Sequence, residues 1–242
     1  MNHKKSKKMK IIMIIITCLL AAFFLVLMPA MTILVYQDNF GSRFETADWM
    51  AYSVNEFDGL RVKECTFPSN HGQLLAGYHY TKENQEVKGV LVIAHGFGGG
   101  GHNSYMDIAD YFTSNGYLVF AYDATGNDKS EGSSVEGLPQ GVIDLDSALR
   151  YIKQSDEYRG LPIVLFGHSW GGYCAGSVLN RHPDIKAAVL VAGFDRSTDL
   201  FEQQGASIIG SGIKLFMPYV SMYERIKFGK YASYSVNGGF AN

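Results

Sequence analysis

The chain has 242 residues, 47% hydrophobic and 18% charged, with a formal charge of −2 at pH 7, which is globular composition long enough for one well-buried domain. Lys4, Lys5, Lys7, Lys8 and Lys10 crowd the first ten positions and no acidic residue precedes Asp38, so the remainder is acidic. An acidic body argues against a nucleic-acid partner, which would need a basic face.

Residues 1–10 read as a basic cytoplasmic tail. Ile11 to Val35 follows without a single charge, and about 20 apolar residues suffice to span a bilayer. A cleaved signal peptide competes with this reading, but its apolar region runs only ~7–15 residues. Met28-Pro29-Ala30 also places Met where a cleavage site wants a small residue. Residues 11–35 are therefore expected to be a single-pass anchor in the cell membrane. With the lysines held on the cytoplasmic side, the rest of the chain is expected outside.

Residues 36–60 read as a connector, with Asp48 to Tyr52 hinting at a short helix. Arg61–Phe67 and Gln73–Thr81 are strand-like runs joined by the turn cluster Ser69-Asn70-His71-Gly72, which predicts a β-hairpin. Strands are then predicted at Val87–Ala94, Tyr117–Tyr122, Leu161–Phe166 and Ile185–Ala192. Helices are predicted between and after them, at His102–Asn115 (ended by Gly116), Gly141–Gln154 and Gly171–Asn180. Unbroken apolar strands alternating with helices imply an α/β fold with a mostly parallel sheet covered on both faces. No internal repeat or low-complexity tract appears. Cys65 and Cys174 would meet an oxidising compartment, but an early strand and a helix start place them at separate core positions, so a disulfide is not expected.

The chemistry concentrates at Ile163–Gly172, IVLFGHSWGG. A serine nucleophile has to stand clear of the sheet on a sharp strand-to-helix turn in strained geometry. Gly167 and Gly171 fit the places where side chains would collide as strand and helix close on that turn. Ser169 is the predicted nucleophile. His95-Gly-Phe-Gly-Gly-Gly-Gly follows the first parallel strand, where an oxyanion needs one of its two backbone donors. The N–H groups of Phe97 and Trp170 are the predicted pair. The same loop offers a rival: Gly96, Gly98 and Gly101 with Asp123 after the next strand match a dinucleotide-binding fingerprint. That match is partly a product of four consecutive glycines, and it leaves GHSWGG unexplained. Asp123 is expected instead to anchor the turn Ala124–Ser130.

HGFGGG, DATGNDKSEG and GHSWGG, each following a successive strand, resemble the α/β-hydrolase fold, and most of all its serine aminopeptidase-like and lysophospholipase-like branch. The match covers roughly residues 61–195. It departs at Thr125, where Arg is common. The resemblance implies a Ser-acid-His triad acting through an acyl-enzyme, a small-molecule, lipid or peptide substrate, and no cofactor; no metal site is assigned. Triad order in this fold is Ser, acid, then His. No histidine follows His182, and His95, His102 and His168 all precede Ser169, so the base is unassigned. Asp195 follows the strand after Ser169, but the branch takes its acid one strand later, so the acid is unassigned too. Residues 61–242 are therefore expected to be a hydrolase domain cut short before its last strands. The apolar stretch 197–235 is expected to form its cap, and Val236–Asn242 a loop. The alternative is a membrane-tethered, hydrolase-like domain that binds without cleaving.

Overall fold

The computed structural model describes residues 2–83 and 86–241, with side chains from Ser6 onward; Lys4 and Lys5 of the basic tail therefore lie outside the side chains described. Six strands form one sheet in the order β1-β2-β4-β3-β5-β6. β1 (Arg61–Pro68) and β2 (Leu74–Thr81) make the predicted hairpin, and β2 runs antiparallel to β4 (Tyr117–Tyr122). β4, β3 (Gly89–Ala94), β5 (Ile163–His168) and β6 (Ala187–Val191) are mutually parallel.

Because side chains alternate faces along a strand, β3 feeds two cores. Val90 and Val92 pack with α4 (Leu138–Gln154) and α5 (Trp170–Val178), whereas Leu91 and Ile93 pack on α3 (Met106–Ser114). β6 is the sheet edge among the described residues, and Val189 and Val191 on it are exposed.

Element boundaries moved for identifiable reasons. α4 starts at Leu138 rather than Gly141, because Pro139 sits in the first helical turn, where its missing N–H costs nothing. Gly141 lies inside the helix as a contact point: a Cβ there would press 2.6 Å from the Trp170 ring. β5 begins at Ile163, after Pro162, whose carbonyl accepts from Val90 N–H at 3.0 Å. β6 stops at Val191 because Ala192 turns to φ 52°. Residues 236–240 are helical (α8, Val236–Phe240), correcting the expected loop. The Ser235 hydroxyl accepts from Gly238 N–H at 2.9 Å, and Gly176 and Gly239 let α8 close on α5. All three cysteines are free, with Cys174 in the core and Cys65 beside His79.

The largest departure lies at the N-terminus. α1 (Asn2–Ala22), a π-helical turn (Phe23–Leu27) and α2 (Met28–Phe40) form one continuous helix that runs past Val35. Ser6–Phe40 is long and apolar enough to cross a membrane, with a mean hydropathy of 3.1 in its most apolar window. At 1.5 Å per residue its 35 residues measure about 52 Å, well beyond the ~30 Å of a hydrocarbon core. Its C-terminal end docks on the domain. Met28, Thr32, Tyr36 and Phe40 recur every four residues, make one helix face, and are all buried against the domain. The stretch 41–48 is likewise built in. Phe44 N–H donates to the Gly126 carbonyl at 3.0 Å, and the Arg43 guanidinium donates to the carbonyls of Asp128 and Ser130 at 2.8 and 3.0 Å.

α6 (Ser197–Ile209), a 3-10 turn and α7 (Met217–Phe228) fill the predicted cap region after β6. Glu224 on α7 is buried and accepts from two hydroxyls, Ser197 at 2.6 Å and Tyr36 at 3.0 Å. One carboxylate thus ties α6 and α7 to the N-terminal helix.

Candidate active site

Ser169 links β5 directly to α5 with φ 54° and ψ −113°, a conformation that L residues rarely adopt and that persists only where the surroundings impose it. Here they do. Ser169 N–H donates to the Val191 carbonyl of β6 at 2.8 Å, and its carbonyl accepts from Tyr173 N–H at 3.1 Å. A Cβ on Gly167 would overlap the Gly171 carbonyl, and one on Gly171 would overlap the Ala94 carbonyl of β3. Gly172 approaches Gly193 so closely that a Cβ would lie 3.0 Å from its Cα. The turn can be this sharp only with glycine at those positions.

Trp170 is the first residue of α5, so its N–H is one that the helix leaves without an i−4 partner. Its indole N–H donates to the Leu138 carbonyl at 2.8 Å and joins α5 to the start of α4. The Phe97 ring meets the Trp170 ring edge-on, with centroids 5.7 Å apart, and both residues border a cavity of about 390 Å³ that opens over Ser169. The loop carrying Phe97 is pinned by His95. His95 Nε2 accepts from Ala124 N–H at 2.9 Å, so the ring proton sits on Nδ1, which donates to the Gly96 carbonyl at 2.7 Å. Both nitrogens are occupied in holding the loop.

Three other histidines have partners of their own. His168 Nδ1 meets the Tyr105 hydroxyl at 2.9 Å, and that hydroxyl accepts from Gly96 N–H. His102 Nδ1 bonds Asp123 at 2.8 Å while its ring stacks on Tyr78. His182 bonds buried Asp146 at 2.7 Å. None of the six histidines with described side chains lines the cavity over Ser169. Asp195 does not line it either; its carboxylate accepts from Asn237 N–H at 2.8 Å.

Asp123 is fully buried, which by itself would raise its pKa. Hydrogen bonds from His102 outweigh burial and hold it below the usual carboxylate range. With Tyr78 donating at 2.8 Å and Lys129 N–H at 3.4 Å, its oxygens are committed inside the fold rather than presented to a ribose. Asp123 thus anchors the turn, and the dinucleotide reading loses its acidic partner. Thr125, where the family pattern carries Arg, donates its N–H and hydroxyl to buried Asp144 at 2.8 and 3.0 Å. Burial pushes the Asp144 carboxyl up despite those bonds and others from Ser69 and Gln140.

Several residues of the cavity wall escaped the sequence reading. Asn39 and Phe40 come from the N-terminal helix, Leu138 from α4, and Leu200, Gln203 and Gln204 from α6, beside Phe201 of the expected cap stretch. The available signal was the Met28-Thr32-Tyr36-Phe40 spacing, whose two polar members make poor lipid-facing residues. Glu224 was also missed. Burial raises its carboxyl to about 7, against the lowering effect of Ser197 and Tyr36.

The family model for serine aminopeptidase S33, of the Hydrolase_4 group, matches residues 85–234. The chain belongs to this family. Its sheet is that of the α/β-hydrolase fold. Among curated proteins, this S33 member is 32% identical over 116 residues to caffeoylshikimate esterase of Arabidopsis thaliana, covering 47% of this chain and 35% of that protein. It is also 32% identical over 149 residues to human monoglyceride lipase, covering 59% and 47%. The aligned part thus spans about a third to a half of the length of these relatives. Among solved structures, an esterase of Pyrococcus furiosus superposes with a TM-score of 0.55 at 17% identity, covering 73% of this chain and 69% of that one. A hypothetical protein of Pseudomonas aeruginosa superposes with 0.57 at 20%, covering 76% and 59%. Likeness at that identity speaks for the fold alone.

Proposed function

We propose that this chain carries the nucleophile and oxyanion hole of a membrane-attached serine hydrolase that cleaves esters of apolar acyl groups. The observation that carries the reading is Ser169, held at φ 54° at the floor of a cavity walled by Phe97, Trp170, Leu200 and Phe201 and by the amides of Asn39, Gln203 and Gln204. In the proposed reaction Ser169 Oγ attacks the acyl carbon, and the carbonyl oxygen takes the negative charge between the N–H groups of Phe97 and Trp170. The leaving alcohol departs with a proton returned by the base, and water then releases the acid from the acyl-enzyme. With no described histidine lining the cavity over Ser169, this base, and the acid that orients it, are proposed to come from outside these 242 residues. The domain faces outward from the membrane, attached through residues 11–35, with the five early lysines inside. Family membership and the esterase and lipase names among its relatives support an ester substrate.

A second reading, a tethered domain that binds acyl ligands without cleaving them, draws on one observation: no described histidine borders the Ser169 cavity. Ester hydrolysis separates the two. Membranes carrying the chain lengthened beyond Asn242 should hydrolyse a glycerol monoester, and Ser169→Ala should abolish it. The 242-residue chain should retain only feeble turnover, since the hole and binding alone leave roughly 10³–10⁴-fold catalysis over water. A lengthened chain that binds the ester but never turns it over would establish the binding domain instead.

A further inference from the structure

The cavity over Ser169 has a neighbour. Beside it lies a second cavity of about 320 Å³, and the two share Asn39, Phe201 and Gln204 in their walls. The second is bounded on one side by Met31 and Val35 of α2 and on the other by Ile208, Ile209 and Ile213 of the cap. From Asn39 back to Met31 is about 12 Å of helix. Together the two cavities form a groove along the N-terminal helix from Ser169 to Met31, within its uncharged stretch, with Asn39, Phe201 and Gln204 between the two halves. Apart from Asn39 and Gln204 at the junction, the second cavity is lined only by apolar side chains and one glycine.

The rim of this groove is unlike the surface of a soluble domain. Ile208 is 82% exposed, and Ile209 and Val35, which line the same cavity, are exposed as well. Contiguous apolar surface of this kind marks a membrane or partner contact. Here it adjoins the helix segment that is itself apolar and exposed from Ile11 to Leu27.

We infer that the groove is an acyl-chain site in which the N-terminal helix forms one wall, and that the chain of a long-chain lipid ester enters it sideways from the bilayer. Entry along the helix keeps the chain in apolar surroundings throughout. A path through water would penalise transfer roughly fourfold for each methylene exposed. The polar pair at the junction then meets the ester end as the carbonyl reaches Ser169. Only this last step rests on the serine-hydrolase reading; occupancy of the groove needs no chemistry.

Crosslinking tests the proposal. The full chain is reconstituted in phosphatidylcholine vesicles containing a long-chain glycerol monoester with a diazirine at mid-chain, irradiated, digested and mapped by mass spectrometry. Crosslinks are expected within residues 31–39 and 201–216. Val35→Trp and Ile208→Trp should each lower the yield about tenfold by filling the space of two or so methylenes. Val35 and Ile208 lie at the exposed rim, so both variants should keep the protease resistance of the folded domain. Crosslinks within the lipid-exposed stretch 11–27 are expected in any case; wild-type yield at residues 201–216 from folded Ile208→Trp, or crosslinks confined to 11–27, would overturn the proposal. Monoester supplied in separate vesicles should label more slowly than monoester in the same bilayer, and equal rates would overturn sideways entry. Ser169→Ala should crosslink as the wild type does, so failure of the hydrolase reading leaves this result standing. Conversely, absent groove crosslinks sink the acyl site even if Ser169 proves reactive.

Discussion

The floor and the roof of the cavity are held in different ways. The floor, Ser169 with Phe97 and Trp170, rests on buried parallel strands, and backbone-on-backbone contacts at Gly167, Gly171 and Gly172 leave no alternative path for the chain. The roof, from α2 and α6, is made of side chains that are partly exposed, and a buried carboxylate with two hydroxyl partners joins it. The floor is dictated by sterics, whereas the roof is held by side-chain interactions, one of them to a titratable carboxyl. The backbone conformation of Ser169 is therefore fixed, and the roof over it is adjustable.

Breaking the floor should have the largest effect. Gly171→Ala drives a Cβ into the Ala94 carbonyl, where no flexible side chain can yield. A loss of about 3 kcal/mol or more is expected, at the upper end of overpacking costs, and denaturant unfolding in detergent would measure it. A melt indistinguishable from wild type would mean the elbow is looser than described.

The roof should respond to pH through Glu224. Its folded carboxyl holds a proton up to about 7, against an ordinary value of 4.5. Between those values the folded state binds more protons than the unfolded one, so stability falls as pH rises and levels off above the folded value. The slope is at most about 1.4 kcal/mol per pH unit. Glu224→Gln should flatten it, and thermal melts at pH 5 and 8 would show whether the difference between the two proteins changes. An unchanged difference would remove Glu224 as the source. At pH 5, Glu224→Ala should cost roughly 1–3 kcal/mol by stranding the hydroxyls of Tyr36 and Ser197.

The seam between floor and roof should be intermediate. Trp170→Phe removes the donor to the Leu138 carbonyl and should cost about 1 kcal/mol. The smallest change in stability is expected at the sheet edge. Val189 and Val191 are exposed on β6, a surface that invites edge-to-edge association. Val191→Lys should shift stability by no more than ~0.5 kcal/mol while raising the soluble monomeric fraction in size-exclusion chromatography of residues 36–242. Equal aggregation of both proteins would place the sticky surface elsewhere, with the rim around Ile208 as the next candidate.

The same division governs what the sequence revealed. The floor was legible because its determinants are local: Val90–Ala94 and Ile163–Phe166 are unbroken apolar runs, and G-x-S-x-G ties glycine to a geometry only glycine allows. The roof was obscured because its determinants lie far apart in the chain. The bond between Tyr36 and Glu224 joins residues 188 positions apart, and nothing near either one announces the other. Hydropathy ended the N-terminal helix at Val35 because Gln37, Asp38 and Asn39 are polar, although tertiary packing of Tyr36 and Phe40 carries it another turn. Val236–Phe240 looked like a loop because Gly238 and Gly239 are poor helix formers in isolation, and contact with α5 overrides that preference.

Reaction of Ser169 with a fluorophosphonate probe tests the central claim most directly. The probe needs an activated serine and an oxyanion hole, but no particular leaving alcohol. The 242-residue chain is expected to label slowly, and a version lengthened past Asn242 readily, with the adduct mapping to Ser169 and disappearing in Ser169→Ala. Fast labelling of the 242-residue chain would reveal a base among its own histidines and contradict the reading that His95 and His102 are structural. A lengthened chain that never labels, although folded and able to bind the monoester, would contradict nucleophilic catalysis by Ser169 altogether.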